Sequence, residues 1–204
     1  PILFQPDFGT AMIICAVTFT MLLIAGLRTK FLVYSVLAIV PFIASAIMGA
    51  EYRTRRIIAF LDPWQDPSDT GFQIIQSYLA FSNGSLFGEG IGNSNEKLFY
   101  LPEAHNDFIF SVVGEELGLL GIVTLLSLYA LFLWRTFRLA DRAGRAGELF
   151  GARVAQGIGL LMILQVMFHF AVNLGLVPTK GLTLPLMSYG GSAMLINGLA
   201  IGLL

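Results

Sequence analysis

Charge is scarce in this sequence. Only 12% of its 204 residues are Asp, Glu, Lys or Arg, and 56% are hydrophobic, whereas soluble domains carry about 25% charged residues. That balance excludes an ordinary soluble domain and makes an integral membrane protein the first reading. The formal net charge of −1 leaves no basic surface for nucleic acid, so none is expected as a partner. Cysteine is almost missing: Cys15 stands alone, which excludes an intrachain disulfide and leaves the redox compartment open. Internal repeats and low-complexity tracts are also absent. No basic lead-in and cleavage site flank the first apolar run, so no cleavable signal peptide is read. The chain opens on Pro1 and closes on Leu204 within an apolar run, and a piece of a longer membrane protein is expected.

Long apolar stretches are what the sequence has instead. A spanning helix needs about 20 mostly apolar residues to cross a hydrocarbon core of about 30 Å. Residues 11–27, 31–50, 108–134, 154–177 and 188–204 follow this pattern. They predict an all-α fold, a polytopic transmembrane helical bundle. Basic residues orient it. Arg28 and Lys30 fall in one short turn, and Arg135, Arg138, Arg142, Arg145 and Arg153 fill the connection between the third and fourth helices. The positive-inside rule puts both in the cytoplasm, so residues 1–10, 51–106 and 178–187 face outward.

The outer segment 51–106 is too long for a simple connector. Pro63 and Pro67 interrupt any helix there, and Asp69 or Thr70 suits a helix N-cap. Phe72, Ile75 and Leu79 then recur at helical spacing, which predicts a short amphipathic helix lying at the membrane surface. Gly84, Gly88, Gly90 and Gly92 follow. They read as tight turns rather than a nucleotide loop, because no Lys-Ser pair comes after them.

The segment ends in LPEAHNDFIFSVVGEELG, residues 101–118, which gathers four acids and one of the two histidines of the chain. Asp107 sits where the outer loop meets the third helix. The residue alone leaves two roles open, a general base facing a polar cavity or a helix cap. Glu115 lies about 12 Å deeper along the helix, where charge is expensive and usually turned inward. Glu115 and Glu116 are therefore expected to hold helices together. His169 and Asn173, one turn apart, are expected to hydrogen-bond between helices. The small residues of SYGGS, 188–192, are expected to let the last helix approach its neighbours closely.

QPDFGTA (5–11), YRTRRIIAFLDPWQDPSDTGFQIIQS (52–77), GEGIGNSNEKLFYLPEAHNDFIF (88–110), GEELG (114–118) and LVPTKGLTLPLMSYGGS (176–192) resemble, in family order, the SEDS peptidoglycan glycosyltransferases, FtsW, RodA and SpoVE. FLDPWQDP and PTKGLTLPLMSYGG look closer to FtsW than to the other members. The chain departs from the common pattern at Asn106, where threonine is usual, and at Ala193, where a second serine is usual. The resemblance implies the C-terminal half of a ten-helix membrane domain, with residues 51–106 as its large extracytoplasmic loop.

The resemblance further implies a lipid II polymerase. In that reaction the acceptor's GlcNAc 4-hydroxyl attacks the donor's MurNAc anomeric carbon with inversion and expels undecaprenyl pyrophosphate. It puts Asp107 at the catalytic position, as general base. Arg53, Arg56, Lys97 and Lys180 occupy motif positions suited to the pyrophosphate, Arg as a fork and Lys as a point charge. Glu103, His105 and Ser188 complete the implied substrate-binding set. Glu103 and His105 also suit a divalent cation such as Mg2+, though no cofactor or metal site is fixed. The implied partners are a class B penicillin-binding protein, other division proteins and membrane lipid. The implied location is the bacterial inner membrane, multi-pass, with the catalytic loop facing the periplasm. A flippase for lipid-linked precursors and a division scaffold stand as the alternatives.

Overall fold

The computed structural model describes residues 8–31, 33–35, 37, 58–67, 71–94, 106–179 and 181–204. Among them the chain forms helices and turns and no strand. The helices whose bounds lie within these residues are α1 (Phe8–Ile24), α2 (Phe72–Gly84), α3 (Ile109–Arg145), α4 (Leu149–Asn173) and α5 (Gly191–Gly202), with a 3-10 turn at Pro63–Gln65, and residues 29–31, 33–35, 37 and 58–61 are helical as well. Most of the expected helix 31–50 lies outside the described residues. α3 packs on α4 and on α2, and α1 packs on α4.

Among the described residues, two helices, α3 and α4, are long and apolar enough to cross a membrane. Leu120, Leu128 and Leu131 of α3 are each more than half exposed. Soluble monomers rarely leave so continuous an apolar face in water, and lipid is the medium that suits it.

α3 runs further than its apolar stretch. Its 37 residues span about 55 Å, well beyond a hydrocarbon core of about 30 Å. The basic stretch 135–153, expected as a loop, is mostly helix: α3 continues to Arg145, and α4 begins at Leu149 after a three-residue turn. The spacing explains this. Arg135, Arg138, Arg142 and Arg145 recur three and four apart, so they share one face of a continuing helix. Thr136 and Ala140 lie on the other side, buried against a small-residue face of α4 that includes Ala152, Ala155 and Gly159. Arg138 sits 4.0 Å over the Trp134 ring, and Arg145 pairs with Asp141 at 2.6 Å.

α3 is also broken. Gly118 has φ 62° and ψ −160°, which interrupts the i to i−4 ladder. The glycine-rich turn after α2 fills the gap. Glu89 N–H and Gly90 N–H donate to the carbonyls of Glu115 and Glu116, at 2.9 and 3.0 Å. Leu119 N–H and Leu120 N–H donate back to Ser85 and Leu86, at 3.0 and 3.3 Å. Backbone groups freed inside a membrane helix need such partners, because hydrocarbon offers none. The glycines therefore make tight turns, as expected, and Gly90 N–H is spent on α3 rather than left for a phosphate.

α2 forms where a helix was expected but presents a different face. Ile74, Ile75, Ser77, Ala80 and Gly84 are buried, while Leu79 is exposed. Small residues at 77, 80 and 84 let α2 pack directly on the outer end of α3 instead of floating on lipid. A Cβ at Gly84 would stand 1.9 Å from Gly114 O, so the two backbones nearly touch. The N-cap of α2 is Gly71, with no side-chain cap. Asp69 and Thr70 lie outside the described residues.

α5 starts at Gly191 and buries only Asn197. A Cβ at Gly191 would meet nothing within 4 Å. The close helix packing expected from 188–192 is thus not seen among the described residues. Gly190 instead forms the N-cap of α5, beside Thr183.

Candidate active site

Asp107 stands at the junction foreseen for it, two residues before α3, and is half-buried. It is not the N-cap residue of that helix. The N-cap position is Phe108, which carries no side-chain cap, and Ser111 N–H at the first turn donates to Asn173 Oδ1 at 3.2 Å.

The backbone around Asp107 is pinned on both sides. Asn106 C=O accepts from Ser188 Oγ–H at 2.6 Å, and Asp107 C=O accepts from Asn173 Nδ2–H at 3.0 Å. Ser188 is itself buried, and its oxygen accepts Leu184 N–H at 2.7 Å. Its hydroxyl therefore reaches the site through the peptide of Asn106. Gly181 closes in from the same segment: a Cβ there would lie 3.1 Å from Asp107 Oδ2. Further down, Tyr129 O–H donates to Pro185 C=O at 2.5 Å and ties that segment to α3.

Removing the Ser188 hydroxyl should be felt as stability. Ser188→Ala leaves a buried N–H and one acceptor bond of a carbonyl unmade, which costs about 1–3 kcal/mol. Chemical denaturation of the purified full-length protein checks this. An unchanged midpoint would mean that the 181–190 segment is held by other contacts.

Beneath Asp107 lies a buried polar cluster. Ser77 of α2, Ser111 of α3, and His169 and Asn173 of α4 are each at most 1% exposed. Ser77 and Ser111 hydroxyls meet at 2.5 Å, Ser77 Oγ–H reaches Asn173 C=O at 2.7 Å, and Ser111 Oγ–H reaches Asn173 Oδ1 at 2.7 Å. Two hydroxyl protons thus serve three oxygen contacts and are shared around the triangle. Asn173 Nδ2–H also donates to His169 C=O at 2.9 Å. An aromatic column flanks the cluster: Phe81–Phe110 at 5.6 Å and Phe110–Phe170 at 4.2 Å between ring centroids. Apolar Phe108, Val112 and Val172 pack beside it.

Asn173 does link helices, as expected, whereas the buried His169 ring has its Nδ1 3.4 Å from Asn173 Nδ2 on its own helix. Ser77 and Ser111 were not singled out in the sequence. Their signal was weak, a small polar residue on each of two apolar faces, and 34 residues separate them. Glu115 is fully buried and accepts from Ser94 Oγ–H of the inserted turn. It bonds the wedge to α3, in keeping with the holding role expected of it. Arg53, Arg56, Lys97, Glu103, His105 and Lys180 lie outside the described residues. Among the described residues, no three His, Cys, Asp or Glu side chains gather as a metal cluster.

An aspartate presented at the mouth of a membrane-spanning helix pair, over a buried polar floor, defines the class: a membrane protein with a polar site at one end of its helices. The model of the FtsW/RodA/SpoVE family of cell cycle proteins matches residues 1–204, and the chain belongs to that family. A probable peptidoglycan glycosyltransferase FtsW from Thioalkalivibrio sulfidiphilus (strain HL-EbGR7) is 50% identical over 203 residues, covering 100% of this chain and 51% of that protein. A protein of the same description from Methylococcus capsulatus (strain ATCC 33009 / NCIMB 11132 / Bath) is 49% identical over 201 residues, covering 98% of this chain and 50% of that protein. One solved chain, from work on structural coordination of polymerization and crosslinking by a peptidoglycan synthase complex, superposes with a TM-score of 0.72 at 32% identity. The superposition covers 99% of this chain and 56% of that one. The chain spans about half the length of the curated relatives it matches.

Proposed function

We propose that this chain carries the catalytic aspartate of an FtsW-type peptidoglycan glycosyltransferase, acting on lipid II at the periplasmic face of the inner membrane. The observation that supports this best is the fixing of Asp107. Its own peptide and the one before it are each hydrogen-bonded to a buried side chain. Such a group is preorganised for proton transfer.

In the proposed reaction Asp107 takes the proton of the acceptor's 4-hydroxyl. The oxygen forms the glycosidic bond to the donor's anomeric carbon as the bond to the pyrophosphate oxygen breaks, and undecaprenyl pyrophosphate leaves. Arg53, Arg56, Lys97 and Lys180 would neutralise that leaving group, and Glu103 and His105 would orient the sugars. Any Mg2+ would be held by Glu103, His105 and the pyrophosphate oxygens. A class B penicillin-binding protein is the proposed partner.

The test is Asp107→Ala in the full-length protein with its partner, with lipid II products resolved on gels. Polymer should vanish while partner association and melting temperature hold. Glycan strands of normal length and yield would remove Asp107 from the mechanism. If labelled lipid II instead crossed liposome leaflets under the control of the outer carboxylates, the flippase reading would take its place.

A further inference from the structure

We propose that Asn173 is a positioning residue for Asp107, fixing where the carboxylate stands without touching substrate. This rests on the reading of Asp107 as general base.

An asparagine side chain offers two donor hydrogens and two acceptor lone pairs, and Asn173 uses all four. Its Oδ1 accepts from Ser111 N–H at 3.2 Å and from Ser111 Oγ–H at 2.7 Å. Its Nδ2 donates to Asp107 C=O at 3.0 Å and to His169 C=O at 2.9 Å. The amide orientation follows from these partners. Turning it over would set Nδ2 against an N–H and Oδ1 against two carbonyls.

Two of these bonds hold the backbone that follows the reacting group. One holds the peptide leaving Asp107, and the other holds the amide four residues on, in the first turn of α3. Together with Ser188 on the Asn106 carbonyl, they fix the backbone on both sides of Asp107, and hence the direction of its Cα–Cβ bond. Asn173 is fully buried, so water does not readily replace a lost bond. It is also the last residue of α4, so the position of Asp107 is referred to a membrane-spanning helix rather than to a loop. A base displaced by about 1 Å costs on the order of 100-fold in rate, and release of this clamp permits a shift of that size.

The experiment measures lipid II polymerisation by the full-length protein with its partner, separating kcat from KM. Asn173→Leu matches the side chain in bulk and removes all four bonds. It should lower kcat on the order of 100-fold with KM for lipid II within about 2-fold of wild type. Asn173→Asp keeps the shape and, when protonated, one donor. It is the variant that folds if the leucine does not, and it should lose about 10-fold in kcat. Ser111→Ala is the structural control, because it breaks the buried triangle but leaves Asn173 bonded to Asp107. It should melt lower yet retain most of its kcat.

Full kcat in Asn173→Asp would overturn the proposal. So would a kcat loss in Ser111→Ala equal to that of Asn173→Asp at matched melting temperature, since the effect would then be general loosening. Wild-type polymer from Asp107→Ala is a separate failure, that of the catalytic reading itself.

Discussion

Gly118→Ala should leave little folded protein. At φ 62° and ψ −160° the position lies in backbone space that an L side chain occupies only at a cost of about 1–3 kcal/mol. The added Cβ would also stand 2.4 Å from Gly88 N and 2.7 Å from the carbonyl carbon and oxygen of Leu86. Those are backbone atoms, so no rotamer change relieves the clash. They belong to the turn that satisfies the broken ladder of α3, and pushing the turn away exposes the carbonyls of Glu115 and Glu116 and the amides of Leu119 and Leu120. Overpacking alone costs about 1–3 kcal/mol, and each buried group left unpaired adds about 1–3. Their sum rivals the whole stability of a typical domain, about 5–15 kcal/mol. Yield and size-exclusion profile of the full-length variant in detergent measure it, with Gly198→Ala as control because a Cβ there meets nothing within 4 Å. Wild-type yield and melting temperature for Gly118→Ala would show that the turn does not sit in the break.

Gly84→Ala should damage both stability and activity. Its Cβ would lie 1.9 Å from Gly114 O and 2.8 Å from the Glu115 Cα, so α2 and α3 must part by about 1 Å or more to restore ordinary contact. The second consequence lies seven residues back, where Ser77 meets Ser111 at 2.5 Å and the Asn173 carbonyl at 2.7 Å. A hydrogen bond lengthened by that much is no longer one. The expected loss is about 1–3 kcal/mol, with polymerisation reduced about 10-fold in the protein that still folds, because the clash displaces the outer end of α3 that carries Asp107, which loss of a buried hydroxyl alone does not. Thermal melts and lipid II gels on the same preparation check both. Unchanged values in both would mean that α2 and α3 do not approach through Gly84.

Much of the architecture was legible because lipid rewards simple patterns. Unbroken apolar runs marked α3 and α4, and the charge border marked Asp107. The far end of α3 was misread because its four arginines look like a loop when counted and like a helix face when spaced. Its break was invisible because a lone glycine in a helical pattern is common. The ψ of Gly118 is imposed by a turn about thirty residues earlier, and local propensity carries no trace of that. The partners of Asn173 were hidden for the same reason: Ser111 and Asp107 lie 62 and 66 residues away, and only the packed helices bring them within bonding distance. The face of α2 failed differently. Hydrophobic periodicity pointed to Phe72, Ile75 and Leu79, of which Ile75 is buried, whereas close backbone approach favoured the smaller Ser77, Ala80 and Gly84 for the rest of the face.

The arginine stripe on α3 bears on how permanent the arrangement is. Drawing the α3–α4 hairpin back through the bilayer would carry Arg135, Arg138, Arg142 and Arg145 across its centre. At about 2.5–3.5 kcal/mol apiece, the toll is on the order of 10 kcal/mol. Asp107 rides at the opposite end of the same helix. The stripe thus acts as a one-way latch, and a hairpin that inserts correctly once keeps its acid on the far side of the membrane for the life of the molecule.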